Sequence, residues 1–99
     1  MALKTKKNME LKEIIKRNYE ATVRRGQISN NTKLFDFINK LDEEVNELKL
    51  SIGESKIYPF DPKEAIDVIL VATAMLQHYG FDTQKILTEK MLYNEQRQD

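Results

Sequence analysis

The segment from Glu64 to Leu76 constrains this chain more than any other part of it, because it is apolar except at Glu64, Asp67 and Thr73. If it is helical, each residue turns the direction of its side chain by about 100°. Taking Glu64 as origin, Asp67 falls near about −60°, Val71 near about −20°, Met75 near about 20° and Val68 near about 40°. Two carboxylates one turn apart thus share a stripe with three apolar residues, while Ile66, Ile69 and Leu70 take the other side. A helix that is apolar on nearly every side is normally buried. A buried ionised carboxylate without a partner costs roughly several kcal/mol, and two neighbours also repel each other. Glu64 alone has a simple explanation, since an acid in the first turn is favoured by the helix dipole, and a pairing with a nearby Lys is equally ordinary. Asp67 lies deeper. The fold has to bring either basic side chains or a cation to this stripe.

The rest of the chain reads as helix too. Only three Gly and two Pro interrupt it, and no stretch alternates with the period-two pattern of a strand. A first helix is expected from Asn8 to Arg25, with Leu11, Ile14, Ile15, Tyr19, Thr22 and Val23 on one stripe and Gly26 as its stop. A second starts after a cap at Asn30, Asn31 or Thr32 and ends before Gly53, with Leu34, Phe37, Ile38, Leu41, Val45 and Leu48 facing inward. Asp61 followed by Pro62 predicts the start of the third, which stops at Gly80. Asp82 caps a fourth that runs to about Gln96. The expected architecture is all-α: one domain over residues 1–99, a compact antiparallel four-helix bundle, with residues 1–7 as a flexible tail.

Lys plus Arg and Asp plus Glu both total 16, so the net charge is zero, which argues against a nucleic-acid partner. The cluster of Lys4, Lys6 and Lys7 reads as a solvated start to the chain. There is no cysteine, which removes disulfides, thiolate metal ligands and a cysteine nucleophile. The charged N-terminal stretch does not look like a signal peptide and the Ala65–Leu76 run is too short to cross a bilayer, so a cytoplasmic protein without a membrane partner is expected.

The second helix adds more acid instead of the missing base. Asp42, Glu43, Glu44 and Glu47 lie together, with Glu44 and Glu47 one turn apart. With Leu41 as origin, Glu44 stands at about −60°, bordering the apolar stripe, and Glu47 at about −120°, just beyond it. Taken alone, such a run is an ordinary solvated helix face. If helices two and three pack antiparallel, however, the two carboxylate pairs converge. Oxygen ligands without His or Cys suit Mg²⁺ or Mn²⁺.

These residues carry a family resemblance. Lys40-Leu41-Asp42-Glu43-Glu44-Val45-Asn46-Glu47-Leu48 resembles the Glu-Glu-x-x-Glu segment of MazG-like all-α nucleoside triphosphate pyrophosphohydrolases. Glu64-Ala65-Ile66-Asp67-Val68-Ile69-Leu70 looks like that family's Glu-x-x-Asp segment, and Lys90-Met91-Leu92-Tyr93-Asn94-Glu95-Gln96-Arg97 is similar to its closing Lys-x-x-x-Asn-x-x-Arg helix. The blocks stand in the family's order, from about Phe35 to Arg97. Two departures are visible: Asn46 stands where Gly is frequent, and the chain has no Trp, which some relatives place around the base.

The resemblance implies cleavage between the α and β phosphates of a nucleoside triphosphate, with a deoxynucleoside preferred, to give a monophosphate and pyrophosphate. It implies a metal held by Glu44, Glu47, Glu64 and Asp67. Glu44 or Glu47, Glu44 preferred, holds the attacking water as general base. Lys90, Asn94 and Arg97, spaced i, i+4 and i+7, fit an anion-binding stripe for the triphosphate. Lys40 either reaches a phosphate or pairs with an acid. His78 is expected to be a C-terminal cap or a core-edge residue, and Tyr58, Pro59 and Phe60 either pack as a loop or cover the base. A homo-oligomer, dimer or dimer of dimers, follows both from the resemblance and from the apolar surface of helix three. Competing readings are a phosphoribosyl-ATP pyrophosphohydrolase, against which the Lys90-to-Arg97 block speaks, and a non-catalytic helical oligomerisation module.

Overall fold

The structure, a computed structural model, describes residues 8–54 and 58–97; the tail expected over residues 1–7 lies outside them. Among the described residues there are four helices and no strand: α1 (Leu11–Arg24), α2 (Leu34–Ser51), α3 (Pro62–His78) and α4 (Thr83–Gln96). The all-α expectation holds, and the ends follow from local chemistry. The Asp61 side chain accepts the Lys63 N–H at 3.0 Å ahead of Pro62, and the Asp82 side chain accepts the Lys85 N–H at 3.2 Å. Gly26 and Gly80 take φ of 77° and 78° where α1 and α3 stop, a conformation that strains any residue with a Cβ.

One cap differs from expectation. Helix α2 begins after Lys33, whose N–H is accepted by the Asp36 carboxylate at 2.8 Å. Asn31 and Thr32 are used earlier, in a turn closed by Ser29: the Ser29 N–H donates to Thr32 Oγ1 at 2.9 Å, and the Asn31 N–H to Ser29 Oγ at 3.1 Å. The Thr32 hydroxyl is engaged in that turn, the helix starts one residue later, and Asp36 one turn inside α2 satisfies the Lys33 N–H.

Helix α3 is the centre of the fold: α2 packs along it, α1 packs on another side, and α4 touches both α1 and α3. The α2–α3 pair is antiparallel, because Ser51 Oγ accepts the Asp61 N–H at 3.1 Å at one end while Phe37 meets His78 and Tyr79 at the other. Helix α2 approaches neither α1 nor α4, so the four helices do not close into a bundle within one chain. A cleft is left between α1 and α2 with α3 as its floor.

The core is small. Ile28, Phe37 and Ala74 are buried together with Tyr19 and Met75 against them, and Ile15 is buried on α1. His78 sits at the edge of this cluster, as expected: its Nδ1 shares a 2.8 Å hydrogen bond with Tyr19 Oη, and its ring lies 5.2 Å from that of Phe37. The inward stripes are only partly covered, with Leu11, Ile14 and Val23 of α1 and Leu34 and Val45 of α2 still exposed. The radius of gyration is 15.9 Å, whereas a compact chain of this length has about 13 Å. No helix among the described residues is long and apolar enough to cross a membrane.

Candidate metal centre

Antiparallel packing of α2 on α3 brings the second half of α2 beside the first turn of α3. One carboxylate oxygen from each of Glu44, Glu47 and Glu64 then lies within 4.8 Å of the others. Glu44 is buried, Glu64 half-buried and Glu47 exposed, so the group grades from the protein interior to solvent. Two helices supply it, so neither acidic pair would make it alone.

Like charges gathered this closely need compensation, and it is incomplete. Lys40, one turn before Glu44, places Nζ 3.1 Å from Glu44 Oε2 and 3.5 Å from Glu43 Oε1. The pairing with Glu44 raises the Lys40 pKa above its ordinary value, burial opposing it in part. Of the two roles open to Lys40 in the sequence, this structure has it paired with an acid. Glu64 is less well served, since its Oε1 is shielded from solvent without a hydrogen-bond partner. A buried acceptor left unpaired in this way is costly unless something positive meets it. Oxygens bound to Mg²⁺ at about 2.1 Å stand about 3–4 Å apart, so small side-chain rotations would bring these three onto one ion. Their chemistry and spacing fit a hard divalent cation.

Asp67, expected as the fourth ligand, is not in the group of three. It lies one turn further along α3 and lines the cleft between α1 and α2, together with Glu44 and Lys40. That cleft has a volume of about 490 Å³. Phe37, Leu70 and Val71 give it an apolar wall, while Asn18 and Arg25 of α1 and its C-terminal end supply polar groups. Reading the sequence passed over Asn18 and Arg25, because nothing in the spacing of α1 distinguishes them from ordinary polar positions. Asn18 is anchored across the fold, its Nδ2 donating to the Leu70 carbonyl at 3.0 Å.

The helix-four stripe is not brought to this site within the chain. Lys90 and Asn94 are exposed on α4, which does not approach α2, and Lys90 Nζ stands 5.0 Å from the Tyr93 ring centroid. Helix α4 ends at Gln96, and Arg97 is extended, with φ −73° and ψ 147°. Its N–H donates to the Asn94 carbonyl at 3.2 Å, so Arg97 forms the C-terminal cap of α4. Tyr58 and Phe60, which lie between α2 and α3, are both exposed.

Burial of the charged form, followed by the like charges of Glu47, Asp67, Asp61 and Glu44, holds the Glu64 carboxyl above its ordinary value of 4.5. An acid whose folded pKa is raised binds more protons in the native state than in the unfolded state, between the two values. Stability therefore falls as pH rises through that window and is regained on acidification. The metal-free protein is expected to melt at a higher temperature as pH is lowered from neutrality toward 4.5, and Glu64→Gln to flatten the trend. Thermal melts in chelator check this, and an equal slope in both proteins would reject it.

Comparison of the chain with protein-family models, curated proteins and solved structures yields no match in any of the three.

Proposed function

We propose that this chain is a divalent-cation-dependent pyrophosphohydrolase, cleaving a nucleoside triphosphate, with a deoxynucleoside preferred, to its monophosphate and pyrophosphate. The observation that carries the reading is the meeting of Glu44, Glu47 and Glu64 within 4.8 Å, from two helices, beside a cleft of about 490 Å³. The volume suits a small organic ligand. The sequence resemblance supplies the reaction type, and the meeting of three of its four carboxylates supports the reading.

In this reading Glu44, Glu47 and Glu64 would hold Mg²⁺ or Mn²⁺, with Asp67 as a further carboxylate on the cleft side. Such an ion would supply charge neutralisation at the phosphate oxygens and a water of lowered pKa. Glu44, or Glu47 at the solvent side, orients that water and accepts its proton. Arg25 and Lys40 provide positive charge at the cleft, and the wall of Phe37, Leu70 and Val71 excludes water from one side of the ligand. Lys90 and Asn94 of α4, with Arg97 just beyond its end, contribute from a neighbouring copy, because α4 does not approach α2 within one chain.

The exposed apolar residues of α4 would equally serve a helical oligomerisation module whose acids are incidental. Products and metal separate the two readings. With Mg²⁺, the protein is expected to release pyrophosphate from a panel of ribo- and deoxyribonucleoside triphosphates, and to release nothing in chelator. Orthophosphate as the sole product, or no heat on titration with Mg²⁺ and Mn²⁺, would reject the enzyme.

A further inference from the structure

We propose that Lys40 is an exchangeable counter-ion: it neutralises Glu44 while the carboxylates hold no metal, and turns into the cleft toward phosphate when a divalent cation arrives. This rests on Glu44, Glu47 and Glu64 being a metal centre. The starting point is the 3.1 Å pairing of Lys40 Nζ with Glu44 Oε2. Glu44 is only 7% exposed, so its charge needs a partner in every state of the site. The Lys40 side chain, by contrast, is 48% exposed and also lines the cleft beside Glu44 and Asp67. Its ammonium is a compact charge on a flexible four-carbon stem, able to change partner by rotation without disturbing α2.

A divalent ion drawn to Glu44 by Glu47 and Glu64 would place two cations on one carboxylate. Their repulsion opposes metal binding for as long as Lys40 stays. Its departure relieves that repulsion and leaves a positive charge at the mouth of the cleft, where a polyphosphate offers several anionic oxygens. Lys40 therefore weakens the metal site and strengthens the phosphate site. A fixed clamp that merely oriented Glu44 would do the opposite at the metal.

The test compares wild type with Lys40→Met and Lys40→Arg, titrating the nucleotide-free proteins with Mg²⁺ and Mn²⁺ in a calorimeter. Lys40→Met is expected to bind the ion about tenfold more tightly, since one cation no longer competes at close range, and its metal-free form to melt lower because Glu44 loses its partner. Lys40→Arg keeps the charge and is expected to return metal affinity toward wild type. Inorganic tripolyphosphate, added with saturating Mg²⁺, is expected to bind Lys40→Met about tenfold more weakly, the opposite sign. Equal or weaker metal binding by Lys40→Met overturns the exchange, and unchanged tripolyphosphate binding overturns its phosphate half. If wild type itself takes up no Mg²⁺ or Mn²⁺, the metal centre falls and the exchange with it; metal uptake by wild type without tightening in Lys40→Met rejects the exchange alone.

Discussion

Glu64→Gln is expected to lower the rate of pyrophosphate release by at least about a hundredfold while the helical content by circular dichroism stays unchanged. Glu64 supplies the α3 oxygen of the carboxylate group, and its shielded Oε1 has no protein partner to lose. The amide keeps the shape but brings no negative charge to the ion. Removing that charge also relieves crowding by Glu47, Asp67, Asp61 and Glu44, so the metal-free variant is expected to melt higher than wild type. Lower activity combined with higher stability is the signature of a residue kept for its site and not for its packing. Glu44→Gln and Glu47→Gln are expected to match the loss of activity, with Glu44→Gln also breaking the Lys40 pair. Asp67→Asn is expected to fail at limiting metal and to recover at excess metal, because Asp67 has to rotate toward the ion from outside the group of three. Near-normal turnover in Glu64→Gln at limiting metal would refute the coordination.

The second large effect is expected in the dependence of stability on protein concentration. Ile66 and Ile69 of α3 are 50% and 52% exposed, and Leu87, Met91 and Leu92 of α4 are 48%, 48% and 49% exposed. Apolar surface of this extent on a helical chain marks an interaction face. A stable interface of about 1,600 Å² would remove much of it from water, at about 25 cal/mol per Å² before the cost of association. The protein is therefore expected to be a dimer or dimer of dimers, with a melting temperature that rises with concentration. Light scattering at micromolar concentration that gives a monomer would reject this. Shared sites have a further consequence: Glu64→Gln and Arg97→Ala proteins, each inactive alone, are expected to regain part of the activity when mixed and refolded together. A dimer without such complementation would leave the oligomer intact and remove Arg97 from its neighbour's site.

What the sequence determined by itself is local. Asp61-Pro62 and Asp82 mark the starts of α3 and α4 because a short acidic side chain meets the free N–H groups of a first turn. Gly26 and Gly80 mark stops because only glycine takes positive φ without strain. The apolar character of α3 already places it at the centre. Helical spacing likewise shows that Glu44 and Glu47, and Glu64 and Asp67, lie one turn apart. Even at this range one competition was hidden, since Thr32 is a good cap whose hydroxyl a preceding turn had engaged.

The tertiary structure decided which of those pairs meet. Three carboxylates come together and Asp67 faces the adjoining cleft, because crossing helices share only a limited stretch of surface. It also decided that Lys40 answers Glu44, that Asn18 and Arg25 line the cleft, and that α4 stays away from α2. None of this is written in spacing along one helix. Periodicity fixes the angle of a side chain about its own axis, whereas the position of a second axis depends on how the apolar stripes of several helices pack together.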